Sequence, residues 1–298
     1  MGLLQLQYFK ALAEKEHLTE TANELMVSAP SLSATLARLE KDLGVQLFDR
    51  VGRNIHLNEY GRIYLKHVNE VFSSLENAKL EILDSQNNQK MHLSVAITSP
   101  IVWHDAFQAF IKTNPHIIIS HTIIKGHLFE SASYCSQFDF IMSATTDLPG
   151  NDWDSDILNP DDRPLLAVYP NHPFAQRKAV RLIEAKDENF IVVSKGFSMR
   201  IFFESLCKMA GFAPKIIMEC DYMLRSKMLA AEYGIVLTTQ SGARAGALGN
   251  AVFVDIIDPG LRRTQAIFWK KQRYLSKPAI IFRNFMVDYH HAELSHQR

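Results

Sequence analysis

Cysteine is scarce in this chain of 298 residues, and its three copies, Cys135, Cys207 and Cys220, are scattered. No C-x-x-C pair exists, which excludes a disulfide scaffold and leaves three buried, reduced thiols as the expectation. No apolar run approaches the length of a membrane span, and the N-terminal Leu3, Leu6, Phe9 and Leu12 recur as one helix face rather than as a leader. The expected location is the cytoplasm, away from membranes. Net charge is missing as well: 32 Lys and Arg offset 32 Asp and Glu, so no domain is strongly basic. The catalytic signatures G-x-S-x-G and H-E-x-x-H, the phosphate loop and the dinucleotide glycine pattern are all absent. Of the twelve histidines, His290, His291 and His296 gather near the C-terminus without cysteines or carboxylates at ligand spacing, which reads as a solvated tail. Neither enzyme chemistry, nor a cofactor, nor a metal is expected.

What is present is concentrated between Thr21 and Arg53. A first short helix, which Thr19 can cap, offers Ala22 and Leu25 as a narrow apolar face, and small Ala22 lets another helix cross closely. Ser28 can cap a second helix that starts near Ala29, with Pro30 in its first turn, where a missing N–H costs nothing. Leu32, Leu36, Leu39 and Leu43 form one buried stripe, and Gly44 supplies the left-handed stop. The opposite face carries Ser31, Ser33, Ala34, Thr35 and Arg38, small or hydrogen-bonding side chains that enter a major groove without filling it. Apolar Val45, Leu47 and Phe48, then Ile55 and Leu57, predict two short strands closing a hairpin over Asp49 to Asn54. Arg50 and Arg53 sit at its tip, where a wing meets phosphate. The corner between the helices holds Met26 and Val27 rather than glycine, which requires negative φ at both.

This stretch resembles the winged helix-turn-helix of LysR-type transcriptional regulators. The resemblance is carried by Ala22, the Ser28-x-Pro30-Ser31-Leu32-Ser33 start, the Leu39-Glu40 pair, the Leu43-Gly44-Val45-x-Leu47-Phe48-x-Arg50 run and Gly52-Arg53. It implies a sequence-specific regulator of promoter DNA, and it allows RNA polymerase as a further partner. Two departures stand on the groove face. Ala29 and Ala34 replace the Gln and Arg that many members carry, so the family's base contacts transfer only in part. The candidate DNA-binding set is Ser28, Ala29, Pro30, Ser31, Ser33, Ala34, Thr35 and Arg38 with Arg50 and Arg53. With acidic residues mostly on the first two helices, helix N-termini and backbone amides are expected to share the phosphate contact.

After the wing, Asn58 starts a helix that no proline or glycine interrupts from Arg62 to Asn88. Tyr64, Val68, Val71, Leu75, Ala78 and Ile82 alternate spacings of four and three, a heptad seam that wants a partner helix. A homodimer follows, because two recognition helices read two half-sites. The family resemblance adds that dimers often pair into tetramers. Gln86-Asn87-Asn88-Gln89-Lys90 is a polar break. The expected division is therefore 1–58 for the winged helix-turn-helix, 59–90 for the linker and dimerisation helix, and 91–298 for a regulatory domain.

From Met91, short apolar runs alternate with helical stretches, the pattern of an α/β domain. Strands are predicted at His92 to Ile97, Ile117 to Ile124, Phe138 to Met142, Leu165 to Tyr169, Phe190 to Val193, Lys215 to Met218, Ile235 to Leu237, Val252 to Ile256 and Ala266 to Lys270. A final helix is predicted at Lys277 to His290. So many elements form two lobes more easily than one core. The His172-Pro173-Phe174-Ala175 run and the segment from Ala230 to Leu237 resemble the family's effector domain, which has the fold of periplasmic binding proteins. That resemblance implies a second lobe over about 163–265 and hinge strands near Leu165 and Ala266. A ligand would lie between the lobes, where Thr98 and Ser99, Ser194 and Ser198, and Thr238 and Thr239 converge ahead of helices. Hydroxyls, exposed amides and Arg200 suit a small anion such as a carboxylate. Each Ser or Thr alone is an ordinary helix cap, and their convergence is what argues for an effector pocket.

Two other readings stay open: a C-terminal domain that only assembles the oligomer, or an α/β ligand-binding or enzymatic domain with an appended helical one. Replacing Arg50 or Arg53 by Ala is expected to weaken binding to every DNA sequence alike and to lower the slope of log affinity against log salt by about one. An unchanged slope in a fluorescence-anisotropy titration over salt would remove the wing from the interface.

Overall fold

A computed structural model of the chain describes residues 2–51, 54–86, 91–126, 129, 132–148 and 152–295. They fall into two compact units, Met1–Gln86 with Gln272–Tyr274, and Asn87–Lys271 with Leu275–Arg298.

In the first unit, α1 (Leu3–Lys15) buries Leu6, Phe9, Leu12 and Ala13 along one face. The next helix, α2 (Leu18–Glu24), is capped by His17, whose ring accepts from Glu20 N at 3.2 Å, and not by Thr19, which lies inside the helix. The third helix, α3 (Ala29–Leu43), begins where its cap predicts: the Ser28 hydroxyl accepts from Ser31 N at 3.3 Å, and Gly44 ends it at φ +73°. Leu32, Leu36 and Leu39 are buried, while Leu43 is only half-buried at the margin of the same core. The corner between the helices differs from expectation, because Met26 adopts φ +54°. With its side chain 94% exposed, no packing contact offsets that left-handed backbone.

The wing strands β1 (Phe48–Val51) and β2 (Asn54–Leu57) pair antiparallel, with Phe48 opposite Leu57 and Val51 opposite Asn54. The hairpin is thus longer and tighter than the apolar pattern predicts, since Asp49 to Val51 join the ladder. Arg50 lies in β1 opposite Ile55, and Arg53 falls outside the described residues.

The Asn58 side chain caps α4 (Glu59–Ser85) by accepting from Gly61 N at 2.9 Å. The heptad seam on α4 divides. Val68 is buried and Tyr64 is packed with Phe9 and Phe48 in the winged core, the Phe9 ring lying 5.2 Å from Tyr64 and 5.6 Å from Phe48. Those two seam positions therefore serve this unit's own core. Val71, Leu75, Ala78 and Ile82 remain exposed.

The second unit holds two larger sheets and a two-stranded one, and its buried apolar residues form four clusters among the described residues, two in each lobe. Its first sheet has the order β4–β3–β5–β13–β6, from β3 (Met91–Ile97), β4 (Ile117–Ile123), β5 (Phe140–Ala144), β6 (Trp153–Asp162) and β13 (Arg263–Lys270). The first three run parallel, and β13 inserts antiparallel between β5 and β6. Helices α5 (His104–Thr113) and α10 (Lys277–Ser295) pack on it through Phe110 and Phe282, and a short α6 (Ala132–Ser136) lies between β4 and β5. The second sheet has the order β11–β7–β12–β8, from β7 (Pro164–Val168), β8 (Ala179–Val180), β11 (Val236–Thr239) and β12 (Val252–Ile256). A parallel pair, β9 (Asn189–Val193) and β10 (Lys215–Cys220), joins it through a bridge from Phe190 to Ile235. Helices α7 (Ser198–Met209), α8 (Tyr222–Ala230) and α9 (Gln240–Arg244) complete this lobe. The chain enters it between Asp162 and Pro164 and returns at Arg263, so two connections link the lobes.

Some elements depart from the sequence pattern, the two-residue β8 among them, which no predicted strand covers. β6 has no counterpart among the predicted strands, because it is acidic and carries Pro160; as an edge strand bonded only to β13, it tolerates both. β5 starts two residues later than predicted, since Phe138 and Asp139 turn into it, with Asp139 N bonding Ser94 O at 2.8 Å.

Gly61 lies in the first turn of α4 because a Cβ there would stand 2.2 Å from the Leu47 carbonyl oxygen and 2.6 Å from Leu57 Cδ1. Gly61→Ala should destabilise the winged unit by about 1–3 kcal/mol. Thermal unfolding of the full chain reads this as an earlier first transition, and an unchanged profile would contradict the close approach.

Candidate functional site

Two surfaces follow from this architecture, one on α3 and one between the lobes of the second unit. On α3, the buried leucine stripe leaves Ser28, Pro30, Ser31, Ala34 and Arg38 exposed and Ala29, Ser33 and Thr35 half-buried on the other side. The Thr35 hydroxyl donates to Ser31 O at 2.9 Å, so it faces outward as an acceptor. Arg38 makes no ion pair among the described residues and is available to an external anion. The hairpin is fastened to the helices by two carboxylates. Glu40 Oε1 accepts from Leu47 N at 2.8 Å, where the chain leaves α3 for β1. Glu16 Oε1 accepts from Leu57 N at 2.7 Å while Oε2 lies 2.9 Å from His56 Nδ1.

Between the lobes lies a cleft of about 530 Å³, counted to its open mouth. It gathers Thr98 and Ser99 from the end of β3 with Thr238 and Thr239 from the end of β11, as the loop convergence predicts. Thr239 also caps α9, accepting from Gly242 N at 3.3 Å. The other three predicted residues are placed differently. Ser194 does not line the cleft; its amide donates to Cys220 O at 3.2 Å. Arg200 is locked into the lobe, donating to Glu204 at 2.7 Å, Glu219 at 2.8 Å and Val193 O at 3.1 Å. Glu219 is too far along the chain from Arg200 for their pairing to be read locally. Ser198 stands behind the cleft, donating to the Asp147 carboxylate and accepting from Arg263.

The charge in the cleft comes from residues outside the sequence-predicted set. Arg225 on α8 lines it at 4% exposure, with its guanidinium 5.0 Å from the Tyr222 ring centre. Its Nε has no hydrogen-bond partner, and no carboxylate pairs with it among the described residues. Burial pushes the Arg225 guanidinium below its ordinary value and the Tyr222 phenol above its own. Arg263 and Gln265, successive inward residues of β13, line the same cleft, and Gln265 Nε2 donates to Asp162 Oδ2 at 3.2 Å. Nearby Trp103 is 1% exposed with its indole N–H unsatisfied. The sequence does carry a signal for Arg225: it shares the buried face of α8 with Leu229, four residues on, which is an odd place for a charge.

The remaining candidates settle as structural. All three cysteines are buried and unbridged; burial pushes the Cys135 thiol up to about 11 and the Cys207 thiol up to about 12, which removes thiolate at neutral pH. His290 is not part of a solvated tail. It is buried on α10 with Nδ1 2.8 Å from Met286 O, while His296 lies outside the described residues. Among the described residues no helix is long and apolar enough to cross a membrane.

The family models match both units. Residues 3–62 match the bacterial regulatory helix-turn-helix protein, lysR family, and residues 87–290 match the LysR substrate binding domain. The chain belongs to the LysR family of transcriptional regulators. It is 30% identical to the transcriptional dual regulator GltC of Bacillus subtilis, over 97% of each chain, and 29% identical to the HTH-type regulator YybE of the same organism, over 96% of this chain and 98% of that one. Its fold is shared with a full-length OxyR variant from Pseudomonas aeruginosa, with a TM-score of 0.61, 20% identity and coverage of 96% of this chain and 94% of that one. It is shared also with full-length BenM, with a TM-score of 0.56, 19% identity and 98% coverage of each chain.

The Glu16 carboxyl is held below its usual 4.5, first by the Leu57 amide and then by His56. A depressed folded value contributes stability that is present above the unfolded value and lost as pH falls through the folded one. The stability deficit of Glu16→Gln should therefore be largest above about pH 5 and shrink in more acidic solution. Denaturant titrations across that range check it, and a deficit independent of pH would contradict the tie.

Proposed function

We propose that this regulator reads operator DNA as a homodimer or tetramer through α3 and the wing, under the control of a small anionic metabolite held between the lobes of its second unit. The observation that carries the effector reading is Arg225, a buried guanidinium that no carboxylate pairs with among the described residues, in a cleft that also offers the hydroxyls of Thr98, Ser99, Thr238 and Thr239. Keeping a charge dry and unpaired is costly, so the site is built to receive its counter-ion from outside. A domain that served only assembly would have no use for that arrangement.

For DNA, the supporting features are the polar, small-residue face of α3, the unpaired Arg38 and the carboxylate ties that hold the hairpin beside it. With Ala29 and Ala34 on that face, base selection falls to Ser31, Ser33, Thr35 and Arg38. For assembly, the support is the exposed row Val71, Leu75, Ala78 and Ile82 on α4, an apolar strip that a second copy of the helix would bury.

The test is Arg225→Met in the full-length protein, with promoter occupancy read by footprinting before and after addition of a carboxylate panel. The variant is expected to keep its DNA protection and to lose the change that the active carboxylate produces in the wild type. A variant that still responds at the same concentration would defeat the effector assignment.

A further inference from the structure

Val102, Trp103 and Gln265 border both the interlobe cleft and an adjoining cavity of about 570 Å³, so they form the partition between the two. Two of the three carry polar groups, and both are buried, Trp103 at 1% exposure and Gln265 at 4%. Their hydrogen-bonding capacity is only partly used. The Trp103 indole N–H, which can donate but not accept, has no partner among the described residues. The neighbouring His290 ring, 5.7 Å away centre to centre, has its Nδ1 on Met286 O at 2.8 Å.

Gln265 is oriented by Asp162. That buried carboxylate pairs with no cation among the described residues and accepts from Ser241 N at 2.8 Å and from Gln265 Nε2 at 3.2 Å. A carboxylate accepts and does not donate, so the amide nitrogen faces Asp162 and the amide oxygen is left for another partner. Among the described residues no donor meets Gln265 Oε1. The partition therefore presents one unused donor and one unused acceptor.

A hydroxyl satisfies both, because it accepts and donates at once. A carbonyl or ether oxygen answers only the indole, and an apolar group leaves both buried polar atoms unpaired. A carboxylate is the wrong occupant here, since Asp162 stands next to the Gln265 amide and repels a second negative charge.

We infer that the effector is a hydroxy acid: its carboxylate pairs with Arg225, and its hydroxyl accepts from the Trp103 indole N–H and donates to Gln265 Oε1. The inference rests on the anionic-effector reading above and names the class of anion. Trp103 and Gln265 are the specificity residues, and Ile101, Val102 and Leu248 face the carbon skeleton. The competing occupant of the same two groups is an ordered water, which would give a hydroxy acid no advantage over its deoxy counterpart.

The experiment uses the full-length protein and three pairs of acids that set the hydroxyl at different distances from the carboxylate: 3-hydroxybutyrate with butyrate, mandelate with phenylacetate, and 4-hydroxybenzoate with benzoate. Affinities are read by calorimetry and thermal shift. In the wild type the hydroxy member of at least one pair should bind about tenfold more tightly or better. Trp103→Phe should bring that ratio close to one, as should Gln265→Met, an outcome that a merely structural role for either side chain would not produce. Equal affinities within every pair would overturn the hydroxyl assignment and leave the anionic-effector reading standing, as would a folded Trp103→Phe protein with the ratio unchanged. If neither variant folds, the wild-type pairs alone decide. Failure of all six acids to bind the wild type, or binding that Arg225→Met does not weaken, would overturn both readings together.

Discussion

A buried guanidinium needs a negative charge close by, and Arg225 has none within the chain's described residues. The cleft around it draws its lining from both lobes. β3 and β11 end at it with hydroxyls, α8 delivers it between the lobes, and β13 places Arg263 and Gln265 on its far wall. The Tyr222 ring stabilises the cation only in part, since a cation–π contact is worth far less than the desolvation it offsets. In the proposed reading, an anion that enters pairs with Arg225 of one lobe beside the hydroxyls of Thr98 and Ser99 of the other. That is the physical route by which a small ligand can bias a two-lobed domain.

The contrast with Arg200 and Arg263 clarifies what Arg225 is for. Arg200 is as deeply buried, yet Glu204 and Glu219 satisfy it within one lobe, where it fastens α7 to β9 and β10. Arg263 is satisfied across the lobes, because Asp147 follows β5 in one and Ser198 opens α7 in the other. Three buried arginines thus take three roles, decided by where the nearest carboxylate lies. In the DNA-binding unit the carboxylates Glu16 and Glu40 bond backbone amides of the hairpin, and Arg38 on α3 makes no ion pair among the described residues.

How much of this is legible in the sequence depends on how local each cause is. The recognition helix is readable because Ser28, Pro30 and Gly44 mark its ends within the helix's own neighbourhood. The convergence of Thr98, Ser99, Thr238 and Thr239 is readable because each pair stands at the carboxyl end of a strand, β3 in one sheet and β11 in the other, and those ends face the crevice between the lobes. Arg200 departs from expectation because Glu219, its partner, is brought to it by the pairing of β9 with β10. Arg225 is legible only as a charge on the buried face of α8 shared with Leu229, and its place in the cleft is set by residues far along the chain. β6 is hard to see because an edge strand needs no alternating apolar face, and Met26 departs from negative φ because its left-handed turn is imposed by the crossing of α2 and α3, held by Val27 N bonding Ala22 O at 2.9 Å.

The central claim is that Arg225 is the open cation of an effector cleft, and anomalous scattering tests it with bromide standing in for the ligand's anionic group. Crystals of the full-length protein soaked in bromide should show a peak within hydrogen-bonding distance of the Arg225 guanidinium and none beside Arg263. Bromide at Arg263 with Arg225 unoccupied, or peaks confined to the outer surface, would contradict the account.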